Sequence, residues 1–461
     1  LSLSALFVTL TPVARGADRT WTGAAGDTRW ATPGNWAGNT VPTGNADQAI
    51  FPAGTPTACL VDASMSIKCI YFRNPGMTLT ISNSVNLHFD NAGALTMLAE
   101  QNAVIDGEGT ISFSVNTGEN YADNQASAGK TLTILAKITG ANGFEHNGGG
   151  GTIVLANAAN DQVGPTLLTA AGVLSVPSVA NAGVASPLGS GSAVRITSTP
   201  CTFRYTGTGH STDRAFYQNA GAGQDVTIEH AGSGTLAFTG PFLSGNNNAH
   251  AFVFNVASGA IIENTGLISD GGTGALWVYK RGAGTQILAA ANTYTGNTVV
   301  EQGTLALTDA GAISTSSPII MRGGSLLLNA GTPASTYTET FGTLQVEPGV
   351  SSVSVAPGAT SAQVTFSSLA FVSGTIDFSG SDLGGTTKII ISNQPDGLIG
   401  PWATVNGGTD LAAYSSTLGV YAANLPVQTL KALGSSSITN DMNSVARITE
   451  VGTSGGITLA D

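Results

Sequence analysis

From Thr285 to Leu307 the chain alternates short apolar, β-branched runs with polar corners. Thr285–Leu288 reads as a strand. The corner Asn292-Thr293-Tyr294-Thr295-Gly296-Asn297 follows, and a second strand begins at Thr298. The turn Glu301-Gln302-Gly303 then leads into Thr304–Leu307. Interruption by Gly and Asn every few residues is strand-and-turn chemistry. A weaker copy lies at Gly150–Val176. Gly151-Thr152 matches Gly284-Thr285, Leu155 matches Leu288, Asn160 matches Asn292, Gly164 matches Gly296, and Val173–Val176 matches Thr304–Leu307. The copies drift by a residue or two at their corners, as in a repeat array. A strand–corner–strand unit cannot bury its face alone and must stack on neighbours. The expected inward stripe is Ile153, Leu155, Leu174 and Val176, with Ile287 or Leu288, Leu305 and Leu307 in the same role.

Similar short strands are predicted at Ala58–Val61, Ile67–Phe72, Met77–Ile81, Asn86–Phe89, Thr110–Phe113 and Thr131–Ile134. They recur at Val353–Val355, Gln363–Phe366, Thr375–Phe378 and Lys388–Ile391. Residues 114–130 lack an apolar period and read as a long exposed loop. Val427–Ala432 reads as a short helix or a loop, and the end of the chain as strand. These elements predict an all-β fold, a right-handed parallel β-helix over residues 56–425, with a less regular β continuation over 426–461. A string of β-sandwiches is the competing architecture. Residues 18–55 hold Trp21, Trp30 and Trp36, three of the five tryptophans. They predict a cap over the first rung, whose open strand edge would invite aggregation, or else an aromatic platform for sugars. Residues 1–17 read as the remnant of a signal peptide. Alternatively Leu1, Leu3, Leu6, Val8 and Leu10 form a strand that is donated to the 456–461 end of another copy.

The stretch Gly282–Leu307 resembles the autotransporter-associated β-strand repeat, G-x-G-T-x-x-L-x-x-x-N-T-Y-T-G-x-T-x-x-x-x-G-T-L-x-L, of large secreted bacterial passengers. Other segments look like the same class. One is Trp21-Thr22-Gly23 with Trp30, Asn35-Trp36, Pro42 and Phe51. Another is Phe203-Arg204-Tyr205-Thr206-Gly207 followed by Asp213-Arg214, and a third is Gly400–Gly407. The resemblance implies a secreted or cell-surface structural or adhesive protein, with extracellular glycans, host surfaces or further copies of itself as partners. It also implies that Arg214 is structural.

Composition narrows the chemistry. The chain has 461 residues, of which 61 are Gly and only 10% are charged. Its net charge of −12 and the lack of any Lys/Arg cluster beyond Lys280-Arg281 disfavour nucleic acid and anionic membranes. No apolar run is long enough to span a bilayer. Cys59 and Cys69 either pair as a disulfide in an oxidising compartment or pack as free thiols. Cys201 is left over. No spacing points to zinc, a P-loop or a dinucleotide fingerprint, so no cofactor is expected. Asp47, Asp62 and Asp90 form no metal motif. The densest group of ionisable residues is Tyr205, His210, Asp213 and Arg214, with Glu229-His230 one strand later. It is a catalytic candidate by composition only. The alternative is an Arg–Asp pair holding a rung corner.

Overall fold

Short strands of alternating polarity become stable here by stacking on their own repeats. The computed structural model describes residues 17–424 apart from 91–94, 115–120, 199, 309–310, 312, 331–335 and 357–359. Beyond 424 it describes four strands, Val427–Thr429, Ser437–Ile438, Val445–Arg447 and Thr458–Leu459. The chain winds as a parallel β-solenoid with three faces. A long sheet of fifteen strands runs from Ala58–Val61 to Thr387–Ile391. A second, of eleven strands, runs from Asp18–Thr20 to Ile268–Ser269. The third face begins as a four-stranded sheet (Met65–Ile67, Asn86–Phe89, Thr110–Phe113 and Lys137–Thr139) and resumes as a twelve-stranded sheet from His210–Thr212. At the strand spacing of ~4.8 Å the long sheet extends on the order of 70 Å.

Register makes the core continuous. On the long sheet one inward column reads Leu132, Ile153, Leu174, Phe203, Ile228, Phe254, Lys280, Val300, Met321, Val346. All ten are fully buried. Each apolar member contributes about 1.5–3 kcal/mol of burial. The expected inward residues Ile153, Leu155, Leu174, Val176, Leu288, Leu305 and Leu307 all lie in the core, whereas Ile287 faces outward. Lys280 is the exception in its column. Its ammonium donates to the carbonyls of Arg281 (2.7 Å), Gly282 (2.6 Å) and Gln302 (3.0 Å), and burial lowers its pKa to about 8.

The three N-terminal tryptophans are buried together. Trp30 and Trp36 lie 4.8 Å apart edge to face, Trp21 and Trp36 5.2 Å, and all three surround Phe51 at 5.8–5.9 Å. Their indole N–H groups donate inward, Trp30 to Pro42 O (3.1 Å) and Trp36 to Trp30 O (2.7 Å). Buried rings offer no sugar platform, so this is the expected aromatic-rich cap. Phe51 then stacks on Phe72 at 5.9 Å, handing the cap to the rungs.

Several expectations are corrected. Tyr121–Ala126, placed in a loop, is a strand of the eleven-stranded sheet. Its inward residue Asn124 is polar and accepts a hydrogen bond from Thr96 Oγ1 (2.7 Å), which hides the apolar period. The predicted strand 67–72 is two strands, Met65–Ile67 and Cys69–Phe72, on different faces. Cys59 lies on the long sheet and Cys69 on the eleven-stranded one. Both are buried free thiols, as is Cys201, so no disulfide joins Cys59 to Cys69. Burial pushes the thiol of Cys59 up, that of Cys69 up to about 11 and that of Cys201 to about 12. Parallel stacking stops short of residue 425. Asp410–Ser415 and Gly419–Ala422 pair antiparallel, and Tyr414 Oη accepts the N–H of Ile391 (3.3 Å), closing the last rung of the long sheet. Val427–Thr429 is a strand paired with Val445–Arg447, and Thr458–Leu459 pairs with Ser437–Ile438. The proposed donor residues Leu1, Leu3, Leu6, Val8 and Leu10 lie outside the described residues.

Buried histidines make the fold acid-sensitive. Burial outweighs a hydrogen bond to Gly151 O and lowers the pKa of His146 to about 4. A side chain at residue 172 would collide with this ring, since a Cβ there would lie 2.6 Å from His146 Nε2, so Gly172 is required. Burial also lowers His230 and His250. Between pH 6.5 and 4 the unfolded chain takes up protons that the folded chain refuses. Stability is therefore full above pH 6.5 and falls as pH drops to 4, with His146 accounting for about 3 kcal/mol. Urea titrations from pH 8 to pH 4 should show this loss, and His146→Gln should flatten it. An equal acid slope in both proteins would contradict the assignment.

Candidate functional site

The group singled out in the sequence does not converge on a shared cavity. Tyr205 Oη meets His210 Nδ1 at 2.5 Å and accepts the N–H of Gly209 at 2.9 Å. His230 packs edge-on against Tyr205 at 4.9 Å. The His230 ring is held by Gly234 O on Nε2 (3.1 Å) and by Gly232 N–H on Nδ1 (3.2 Å). Both ring nitrogens are thus engaged by backbone. Arg214 is fully buried and serves the strandless segment 177–192. It donates to the carbonyls of Ala180 (3.0 Å), Asn181 (3.3 Å), Val184 (3.2 Å), Gly189 (2.7 Å) and Gly191. Asp213 does not pair with it. Its Oδ1 instead accepts the N–H of Ala182 at 2.7 Å. The corner is held by an arginine on carbonyls, not by the Arg–Asp pair considered from sequence. Among the described residues no three His, Cys, Asp or Glu side chains are grouped to hold a metal ion.

The outer face of the long sheet carries the most organised polar array. Register places Arg204, Glu229, Asn255 and Arg281 in one outward column. Glu301, Arg322 and Glu347 continue it, each one residue beyond the paired core positions Val300, Met321 and Val346. The charges alternate and pair rung to rung. Arg204–Glu229 is 2.6 Å, Arg281–Glu301 2.5 Å, Arg322–Glu301 3.1 Å and Arg322–Glu347 2.6 Å. Asn255 Nδ2 bridges the gap to Glu229 Oε1 at 3.5 Å. Burial raises the Glu301 carboxyl, but hydrogen bonds and charge from Arg281 and Arg322 outweigh it and hold the carboxyl below its ordinary value.

Beside this ladder runs a column with small members, Thr227 and Val253, ending at Tyr279. The step from small to large leaves a groove of about 420 Å³ lined by Thr227, Val253, Asn255, Arg281, Glu301 and Gln302. Tyr279 and Trp277 lie nearly parallel, 6.2 Å apart and 20° between planes, and the Arg281 guanidinium sits 5.3 Å from the Tyr279 ring. Trp277 lies flat over Gly296, where a Cβ would come within 2.1 Å of its ring. Sequence reasoning missed this face. Its only signal is Glu229, Asn255 and Arg281 recurring at a 26-residue interval that then shortens to 20 and 21.

Comparison with known proteins fits this architecture. The passenger-associated-transport-repeat family model matches residues 278–307, which covers the Trp277–Tyr279 strand from its second residue through Leu307. A stretch of 163 residues, 34% of this chain, is 35% identical to the adhesin BmaC autotransporter of Brucella suis biovar 1 (strain 1330). That match covers 5% of the relative, so the chain spans a small part of the length of the curated protein it matches. No solved structure matches the chain. The chain is a parallel β-solenoid bearing an autotransporter passenger repeat, as the Gly282–Leu307 motif implied.

Proposed function

We propose that the chain is a non-catalytic, cell-surface or secreted adhesive module that presents its sheet faces to another surface. The observation carrying this reading is the long sheet itself: fifteen strands in register, with polar and aromatic columns outward and the predicted acid–base residues consumed by backbone contacts. The relation to a protein described as an adhesin supports it. Beads coated with the chain should bind epithelial cells or matrix-coated glass above albumin-coated beads, and the chain should release no reducing ends from polysaccharides. Failure to adhere, or sugar release abolished by Asp213→Ala or His210→Ala, would overturn the reading. A finer part of the proposal is head-to-tail association through residues 1–10. Electron microscopy of the full chain and of a deletion of residues 1–12 tests it, and a strictly monomeric full chain rejects it.

A further inference from the structure

We propose that the groove on the long sheet binds an uncharged, extended glycan lying along the solenoid axis, with its rings on Tyr279 and Trp277 and its hydroxyls met by Asn255, Arg281 and Glu301. The proposal rests on the adhesive reading and adds the ligand's chemistry and its place.

Three features point to this ligand. The first is charge. Each arginine of the column faces a glutamate, three against three from Arg204 to Glu347, so the face offers many donors and acceptors without net charge. An acidic glycan would have to displace a glutamate from its arginine, and it would approach a chain of net charge −12. A neutral polyhydroxy chain needs only the alternation of donor and acceptor. The second is the aromatic pair. Two nearly parallel rings on one strand present flat apolar area beside polar groups, which suits the apolar face of a pyranose. The third is spacing. Rungs repeat every ~4.8 Å, about the advance of one hexose in an extended β-1,4-linked chain, so successive sugars meet equivalent positions. A peptide is a poorer fit. The strands lining the groove are hydrogen-bonded on both sides, leaving no edge for an added strand, and the groove is shallow and mostly polar.

Isothermal titration of the purified chain with cellohexaose, mannohexaose and hexagalacturonate tests the inference. At least one neutral hexasaccharide should bind, and at least about tenfold more tightly than its disaccharide, because several rungs contribute. Tyr279→Ala should weaken binding about tenfold or more while melting temperature and circular dichroism stay near wild type. Should that variant misfold, Asn255→Ala with Gln302→Ala on the same outward face serves instead. Glu301→Gln, which leaves Arg281 and Arg322 short of a counter-charge, should create binding of hexagalacturonate that the wild type lacks. Absence of binding by both neutral hexasaccharides, tighter wild-type binding of hexagalacturonate, or full affinity in both outward-face variants overturns the proposal. Coated beads that still adhere in those cases would leave the adhesive reading standing and remove only this one.

Discussion

Replacing Arg214 by alanine is expected to destabilise the protein by about 3–5 kcal/mol, the range for removing one partner of a buried charged network. The side chain is fully buried and satisfies five backbone carbonyls between Ala180 and Gly191. Segment 177–192 has no strand of its own, so these bonds take the place of a ladder there. Removing the guanidinium strands several carbonyls, each costing about 1–3 kcal/mol if it stays buried and dry. Arg214→Lys should rescue little, because one ammonium cannot aim at carbonyls on opposite sides of the corner. Hydrogen exchange would show the loss first in the amides of 177–192, followed by a lower midpoint in urea. A catalytic arginine would behave differently, losing activity with little change in midpoint, and an unchanged midpoint would refute the structural role.

Trp36→Ala should cost a similar amount, about 3–5 kcal/mol, but be expressed at one end. Trp36 touches Trp21, Trp30 and Phe51, and its N–H is bonded to Trp30 O. In a stack where each rung contacts only its neighbours, the damage should appear as fraying of residues 17–51 before the middle rungs loosen. Protease should cut there first, and light scattering should rise as the strand Gln48–Phe51 loses its cover. Trp36→Phe keeps most of the packing and should lose about 1–2 kcal/mol. If the alanine variant resists protease at its N-terminal segment like the wild type, the cluster does not act as a cap.

Legibility in the sequence followed side-chain periodicity. Thr131–Ile134 and Thr285–Leu288 were readable because inward and outward residues alternate in polarity within one strand. Tyr121–Ala126 was not, because its inward position is Asn124, satisfied by Thr96 across the rung. Lys280 looked like half of a basic spot on the surface, yet it occupies an apolar column with its ammonium turned back onto three carbonyls. The outward ladder was invisible for another reason. Its members meet only through the register of successive rungs, and a rung advances by 29 residues from Val173 to Thr202 but by 20 from Val278 to Thr298. No fixed spacing in the sequence exposes such a column.

The alternating ladder also bears on how such a chain can lengthen or misfold. Rungs of a solenoid resemble one another, so a strand docked one rung too far would still bury its apolar stripe. Between Arg281 and Glu347 that error sets arginine against arginine or glutamate against glutamate, whereas a slip of two rungs restores attraction. Like charges in direct contact across strands are repelled, so sign parity acts as a check on counting during folding. The same parity would favour loss or gain of rungs in pairs over evolutionary time.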